Sequence, residues 1–508
     1  MKNKTTLIIL ALGILFRLAL TQNGNFLFNM DNARDFVDVR EMVELGKLRL
    51  TGPLSAIEGL YNGPLWYYLL SIPYFLTNGD PYGAIIMEIL LWVIGGYFLL
   101  KLVKNFGRWI ILPIGFVWVV SDYVVLANRY SFNPNPIVLL TPFLIYLLVE
   151  YLKTGKGIFI ISSWFFGGLF FNLEMNIGVF IPLIIFLSLF LTKNTKFFKD
   201  KFFWLGTLVF IGLLMPQIMF DIKHNFIMSK GVVRFLSESS GSKFNLIKRA
   251  SIIWDSFFSV FSATLMNQKL LLWAVLILAF PIFKNFFSRN KKEIIVIIAS
   301  LFILVPFIGY LIIPVSVNAW HLGAEVAAFL ILIAFMLSSL WELNFFGKLF
   351  SILLSILIIF YSILNIPNYY RERTNLNMDP SLYKNEIAAI DYVYKYANGQ
   401  NFKVYTYLPS VYDYPYQYLF WWYGRKMYGY VPGEYRYLPN RPQYIPNQDK
   451  FEGRKTNFSG LVFLIKEPDR NYTRSGWEGE LINLDLETIG KEMVGPIEIE
   501  TSKEVKKQ

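Results

Sequence analysis

The sequence predicts a polytopic α-helical membrane protein of about eleven transmembrane helices, followed by a small C-terminal α+β domain on the extracytoplasmic side. Three observations predict it. Apolar runs of about 20 residues recur up to residue 366, and each is long enough to cross a hydrocarbon layer of about 30 Å as a helix. The 508 residues are 55% hydrophobic, 18% aromatic and only 17% charged. Past residue 366 the long apolar runs stop, and Asn, Tyr, Pro and charged residues become frequent.

Composition also excludes several classes. The net charge of +12 comes from Lys and Arg in short loops, where they fix membrane orientation, so no nucleic-acid partner is expected. With no cysteine there is no disulfide or thiolate chemistry, and two histidines, His224 and His321, leave little room for a multi-His metal site.

Taken in order, Lys2 and Lys4 place the N-terminus in the cytoplasm, and the run 5–21 lacks a small-x-small cleavage site, so it reads as an uncleaved first span. The first external loop covers 22–82. Its early part, FNMDNARDFVDVREM, if helical, sets Asp31, Asp35 and Asp38 at i, i+4 and i+7 on one face with Arg34 beside them, while Phe36, Val39 and Val43 line another. Such a helix lies at the membrane surface with its acids toward whatever arrives there. Residues 64–76, PLWYYLLSIPYFL, form a short interfacial or re-entrant helix broken at Pro73. Later spans fall at 83–103, 109–127, 135–152, 157–173, 176–192, 202–220, 268–284, 293–314, 320–341 and 346–365. This count puts the basic clusters KLVKNFGR, LKTGKG, KNTKFFKDK and FKNFFSRNKK on one side and everything after Asn368 outside. The long external connection 221–267 ends in FNLIKRASIIWDSFFSVFSA, which is expected to rest on the membrane surface.

The chain thus divides into a membrane domain, 1–366, and an extracytoplasmic domain, 367–508. In the latter, 381–396 reads as a helix and 402–407 and 460–465 as strands. The aromatic stretch 412–430 offers ring faces suited to carbohydrate, or else docks the outer domain on the membrane body; docking is the favoured reading. The tail KEVKKQ is expected to fray.

Polar groups gather at or near the external ends of the spans: the Asp31 helix, Glu58 and Asn62 late in the first loop, then Asn128, Arg129, Asn133 and Asn135 (ANRYSFNPNP). Further on come Asn172, Glu174 and Asn176 (FNLEMN), Asp221, Lys223 and His224 (DIKHNF), and Trp320 with His321. Span ends are often polar, but polar groups at membrane depth are costly unless they face a cavity or a partner, so the set marks a site.

FNMDNARDFVDVREM followed by GLYNGPLWYYLLSIPYFLTNGDP resembles the first external loop of GT-C-fold glycosyltransferases of the family 39 type. These are related to protein O-mannosyltransferases and lipid A aminoarabinose transferases. RYSFNPNPIVLL and PQIMFDIKHNF fit the later loops of the same group, and the resemblance covers roughly residues 1–366. It implies an integral membrane enzyme that moves a hexosyl or pentosyl group from a polyprenyl-phosphate donor to a protein, lipid or glycan acceptor at the outer face of the cell membrane. By the same resemblance Asp31 falls at the catalytic acid, which takes the proton of the acceptor hydroxyl; a general base has to be a partly desolvated carboxylate near the nucleophile.

Arg34 would hold the donor phosphate, or alternatively pair with Asp38 along the helix. Other phosphate contacts could come from Arg129, Lys223, His224, Lys248, Arg249 or His321. Asp35, Tyr61, Asn62, Trp66, Asn133, Asn135, Glu174 and His321 are expected to line the substrate pocket. Trp66, Tyr67 and Tyr68 are read either as a stacking platform or groove lining, or as an interfacial aromatic belt.

The chain departs from the family pattern at Asn32, where relatives carry a second acid, at Asn62 and Gly63, where they have His or Lys, and at Asn133 and Asn135, where they have an acid. No cofactor is certain; a divalent cation, Mg²⁺ or Mn²⁺, on Asp31, Asp35 and Asp38 is the one candidate. The competing reading is a transporter or flippase of lipid-linked saccharides, which usually shows paired halves and polar groups at mid-membrane. No such halves are visible in the sequence.

Overall fold

The computed structural model describes residues 4–55, 57–192, 195–239, 245–265, 272, 291–374, 379–439, 444–445, 447–453, 458–469 and 472–505. Among these residues seven helices are long and apolar enough to cross a bilayer: Lys4–Gly24, Tyr82–Val103, Asn135–Thr154, Lys201–Lys223, Lys292–Ile312, Glu325–Glu342 and Phe345–Leu364. Shorter apolar helices cover Arg108–Val120, Gly157–Leu173 and Met175–Leu191. Expected spans therefore fall on apolar helices everywhere except 268–284, which lies outside the described residues. Two expected spans are interrupted. Ser121 breaks 109–127 into two helices, and 176–192 is split near Val179. The span expected from residue 320 begins at Glu325, after a short turn at Ala319–Leu322.

Small residues let the bundle close. A side chain at Gly95 would overlap the carbonyl of Leu139, and one at Gly96 would overlap Trp118, so helix Tyr82–Val103 lies directly against Asn135–Thr154. Arg17 is buried in the first helix yet fully answered: its Nε donates to Asn128 Oδ1 at 2.6 Å, Nη1 and Nη2 donate to the carbonyls of Val119 and Trp118, and the guanidinium lies 3.8 Å from the Trp92 ring. One cation thereby ties three helical segments together just before the residues that reach the site.

Two expectations about surface helices are corrected. Leu65–Leu76 is an unbroken helix with Pro73 inside it. Helix Leu246–Thr264, expected to lie on the membrane, buries Ile253, Phe257, Val260 and Phe261 against the protein, with Phe257 and Phe261 each 5.2 Å from Phe307 and Phe329. Arg249, offered as a phosphate contact, instead donates to the carbonyls of Tyr310, Ile313 and Val315 at the end of a span. The periodic apolar face found protein rather than lipid, a choice that amphipathicity alone does not make.

The last apolar helix continues as Phe345–Thr374 toward the C-terminal domain. There a five-stranded sheet is built from β1 (Asn401–Tyr407), β2 (Glu434–Arg436), β3 (Phe458–Lys466), β4 (Leu486–Val494) and β5 (Ile497–Glu504), in the order β2-β1-β3-β5-β4. β1 is parallel to β2 and β3, while β5 is antiparallel to β3 and β4. Helix Tyr383–Ala397 covers the sheet, with Tyr396 edge-on to Phe463. The tail expected to fray begins inside β5, since Lys503 and Glu504 pair with Leu461 and Leu486.

The aromatic stretch 412–430 docks this domain on the membrane body. Tyr418 Oη donates to Gly79 O at 2.6 Å, Trp422 Nε1 donates to Asn78 O at 2.7 Å, and the Tyr418 ring packs against Phe28 and Phe36. Rings that read as free carbohydrate faces are thus largely spent on the seam.

Candidate functional site

The site begins with the acidic helix Met30–Glu44, which carries the candidate acids. Asn29 caps it, its side chain accepting from the Asp31 amide at 3.0 Å, so Asp31 stands in the first turn where the helix dipole favours negative charge. The acids do not share one partner. Arg34 donates to Asp31 Oδ1 at 3.2 Å and, through Nε and Nη2, to Asp35 Oδ1 at 3.1 and 3.0 Å. Asp35 Oδ2 accepts from Trp66 Nε1 at 2.7 Å. Asp38 takes Arg49 at 2.7 Å and the Tyr67 hydroxyl at 2.9 Å, and Glu41 takes Lys47, Arg49 and Asn447.

This corrects three expectations. Arg34 pairs with Asp31 and Asp35, not with Asp38. Trp66 has no exposed surface, so it is neither a stacking platform nor part of an interfacial belt; with Tyr67 and Tyr68 it supplies the donors that hold the acidic helix and its flanking loop, Tyr68 Oη reaching Arg49 O. Asp31, Asp35 and Asp38 do not converge on a common cation. Asp35 and Asp38 are turned to guanidinium, indole and phenol donors, and among the described residues no three His, Cys, Asp or Glu side chains group closely enough for a metal. The residues present do not fit the Mg²⁺ or Mn²⁺ expectation.

Exposure separates the acids further. Asp35 is fully buried, whereas the Asp31 side chain keeps 34% of its surface. Burial pushes the Asp35 carboxyl up to about 7, against the pull of Arg34 and Trp66. Burial raises Asp38 too, opposed by Arg49 and Tyr67. For Arg34 burial lowers the pKa, but Asp35, Tyr67 and Asp31 more than reverse it and keep the guanidinium charged. Asp31 has one further neighbour, Tyr130, whose hydroxyl lies 3.4 Å from Oδ2.

The remaining candidates fall into three groups. Arg129, Asn133 and Asn135 frame the loop that brings Tyr130 to Asp31: Arg129 Nε donates to Asn25 O, Asn133 Nδ2 to Leu173 O at 2.5 Å, and Asn135 Nδ2 to Tyr130 O. Leu27 pairs with this loop, its amide donating to Arg129 O at 2.8 Å. These side chains fix backbone rather than face open space, since all three are buried.

A second group surrounds Glu174. The Asn62 carbonyl oxygen of the side chain accepts from the Met175 amide at 3.2 Å, and the Gly63 amide donates to Asn172 O at 2.9 Å. A side chain at Gly63 would overlap Asn172, which is why glycine stands there. Glu174 accepts from Asn176 N and Nδ2 at 3.1 and 2.7 Å, and Asn176 Nδ2 is 3.2 Å from His321 Nε2. Burial raises Glu174 to about 7 despite the Asn176 hydrogen bonds, and lowers His321 to about 4. Rings join this group to the first: Tyr130 stacks on Phe132 at 4.9 Å, and Phe132 meets Trp320 beside His321.

The third group stands apart. Tyr61 and His224 line a cleft of about 680 Å³ with Glu58, Lys230 and Arg234 and no residue of the acidic helix, while Lys223 is exposed at the end of its helix. His224 stacks on Phe220 at 4.0 Å.

Reading the sequence missed Tyr130, Arg49 and the contacts of the C-terminal domain. Tyr130 lies inside ANRYSFNPNP and could have been singled out as the aromatic hydroxyl among its polar residues. Arg49 and Asn447 carry no local signal. From the C-terminal domain, Arg40 of the acidic helix meets the rings of Phe451 at 3.8 Å and Trp421 at 5.0 Å, and Asn447 reaches Glu41.

Residues 61–220 match the family profile described as dolichyl-phosphate-mannose-protein mannosyltransferase. No curated protein matches the chain. Among solved structures, ArnT from Cupriavidus metallidurans bound to undecaprenyl phosphate superposes with a TM-score of 0.59 at 12% identity, over 99% of this chain and 98% of that one. The same protein in the apo state gives 0.58 at 11% identity, over 97% of both chains.

Proposed function

Because this chain is a multi-pass membrane protein with the GT-C glycosyltransferase fold, we propose that it transfers a sugar from a polyprenyl-phosphate carrier to an acceptor hydroxyl at the extracytoplasmic face, with Asp31 as general base. In this reading the N-terminus is cytoplasmic, the C-terminal domain is extracytoplasmic, and the acceptor is a protein, lipid or glycan. The observation that carries the proposal is the difference between the acids of one helix. Asp35, Asp38 and Glu41 are spent on donors and Glu44 stands at the far end of the helix beside Tyr74, whereas Asp31 keeps a third of its side chain open beside a charged arginine.

The chemistry follows from that placement. Asp31 accepts the proton of the acceptor hydroxyl as its oxygen bonds to the anomeric carbon, and the bond from that carbon to the carrier phosphate breaks, leaving polyprenyl phosphate with its extra negative charge. Arg34, held in place by Asp35, offsets that charge, and Tyr130 orients the base. Fixing Arg34 on a buried carboxylate costs no reorganisation when charge develops.

Two measurements test this. Lipid extracted from the purified protein and analysed by mass should contain a polyprenyl-phosphate sugar. Asp31→Asn in reconstituted membranes should lower transfer by about 10²–10⁴-fold while leaving expression and retained carrier unchanged. Full activity in that variant would remove Asp31 from the role of base.

A further inference from the structure

A groove unrelated to the acidic helix runs between helices Leu65–Leu76 and Tyr82–Val103. Its volume is about 290 Å³, and it is lined by Ile72, Pro73 and Leu76 on one wall and Ile86, Met87 and Leu90 on the other. Ile72, Leu76 and Leu90 are more than half exposed, as residues facing lipid would be. From Tyr82 to Leu90 the wall runs eight residues, about 12 Å at 1.5 Å per residue, close to the roughly 15 Å depth of one leaflet's hydrocarbon.

The polar end of the groove is closed by groups of both signs. Asp80 Oδ1 accepts from the Tyr82 amide at 3.0 Å, and Oδ2 lies 3.8 Å from Lys426 Nζ, too far for a direct hydrogen bond. Lys426 and Arg425 belong to the docked stretch of the C-terminal domain, their cations 4.6 Å from the Trp422 ring and 4.8 Å from the Trp421 ring. Trp422 itself is anchored on Asn78. Thr77 turns its hydroxyl onto Pro73 O and Asp80 O, so it offers the groove little polarity.

We propose that a phospholipid with a zwitterionic, primary-amine headgroup seats one acyl chain in this groove, with its phosphate at Lys426 and its ammonium at Asp80. The charges select that occupant. An anionic headgroup would bring a second anion to the Asp80–Lys426 pair without adding a cation, and a choline headgroup has no N–H to give the carboxylate. A lipid held this way spans the seam, its chain on the membrane body and its phosphate on the C-terminal domain, and so fastens the two together.

The test uses the full chain, purified in mild detergent, stripped of lipid and exposed to vesicles containing equal parts of phosphatidylethanolamine, phosphatidylglycerol and phosphatidylcholine, with retained lipid read by native mass spectrometry. The expected result is about tenfold preference for phosphatidylethanolamine. Asp80→Asn and Lys426→Gln should each reduce that preference about threefold or more, and Met87→Trp, which fills the groove, should abolish retention of all three lipids. Equal retention of the three, preference for phosphatidylglycerol, or co-purified polyprenyl phosphate that Met87→Trp removes would each overturn the proposal. Lys426 is exposed, so its variant reads the site even where the groove-filling variant does not fold.

Discussion

Replacing Trp66 by Phe tests whether the aromatic run after Pro64 serves to hold the acidic helix. The substitution keeps a buried ring and deletes the indole N–H that reaches Asp35 Oδ2 at 2.7 Å. Asp35 has no exposed surface, so the lost donor is not replaced by bulk water. A hydrogen bond to a charged group contributes about 1.5–3 kcal/mol net, and the smaller ring adds a cavity term of about 1 kcal/mol. Unfolding entropy of about 2.1 cal/mol/K per residue over 508 residues is about 1 kcal/mol per degree, so the melting temperature in micelles should fall by about 2–4 °C.

The cavity term is removed by a double-mutant cycle with Asp35→Asn, in which the bond to Trp66 becomes a neutral one. A coupling of about 1–2 kcal/mol is expected between the two positions. A second readout is pH. Asp35 already titrates near 7, and losing a donor to its ionised form moves it higher, so the variant should be more protonated at neutral pH and loosen Arg34 there. Transfer activity should then shift its rising limb toward alkaline pH. Additive melting shifts together with an unmoved pH profile would refute the assignment of Trp66 to Asp35.

Glu174→Gln should make stability less sensitive to pH. The folded-state value near 7 stands above the unfolded value of about 4.3, so stability is greatest below the unfolded value and falls by about 1.4 kcal/mol per unit as pH rises toward 7, then stays level. The variant should therefore gain about 3 °C over the parent at pH 8 and nothing at pH 4, and equal shifts at both would contradict the burial argument. Gly63→Ala should sharply lower the yield of folded protein, because its methyl group would overlap Asn172 between two fixed backbone segments. Phe451→Ala, which takes away the ring 3.8 Å from Arg40, should lower the melting temperature by about 3–5 °C while leaving the C-terminal sheet folded by circular dichroism.

The membrane architecture was legible because length and hydropathy alone decide whether a helix can span, and the acid stripe was legible because spacing of 3.6 residues per turn decides which side chains share a face. Which acid stays open was not. Asp31, Asp35 and Asp38 look equivalent along the chain, and what separates them is contributed by Trp66, Tyr67 and Arg49, whose partners are set by tertiary packing. β2, β4 and β5 were also missed. β4, LETIGKEMV, is exposed along nearly its whole length, so it has none of the alternation that betrays a half-buried strand, and β2 has only three residues. His224 reads as a neighbour of the acids because it lies at a span end, yet span ends surround the whole rim of a bundle and do not say which arc of it they occupy.

The position of Asp31 also depends on residues some 350 places later in the chain. The segment leading into the acidic helix is held by backbone bonds to the C-terminal domain, Phe28 N donating to Ser381 O and Tyr383 N to Phe26 O, both at 2.9 Å. The far half of the same helix is gripped through Arg40 and Glu41 by Phe451, Trp421 and Asn447. A helix fastened at both ends by one domain and along its acid face by residues 66–67 of another has little freedom to slide, so its first-turn carboxylate stays beside Arg34 and Tyr130. The C-terminal domain therefore reaches Asp31 mechanically, through the segment before the helix and through the helix's far half. Loosening the seam at Phe451 should lower transfer through the orientation of the base, with turnover falling further than apparent affinity for the carrier. An unchanged ratio of the two would show that the domain supports stability alone.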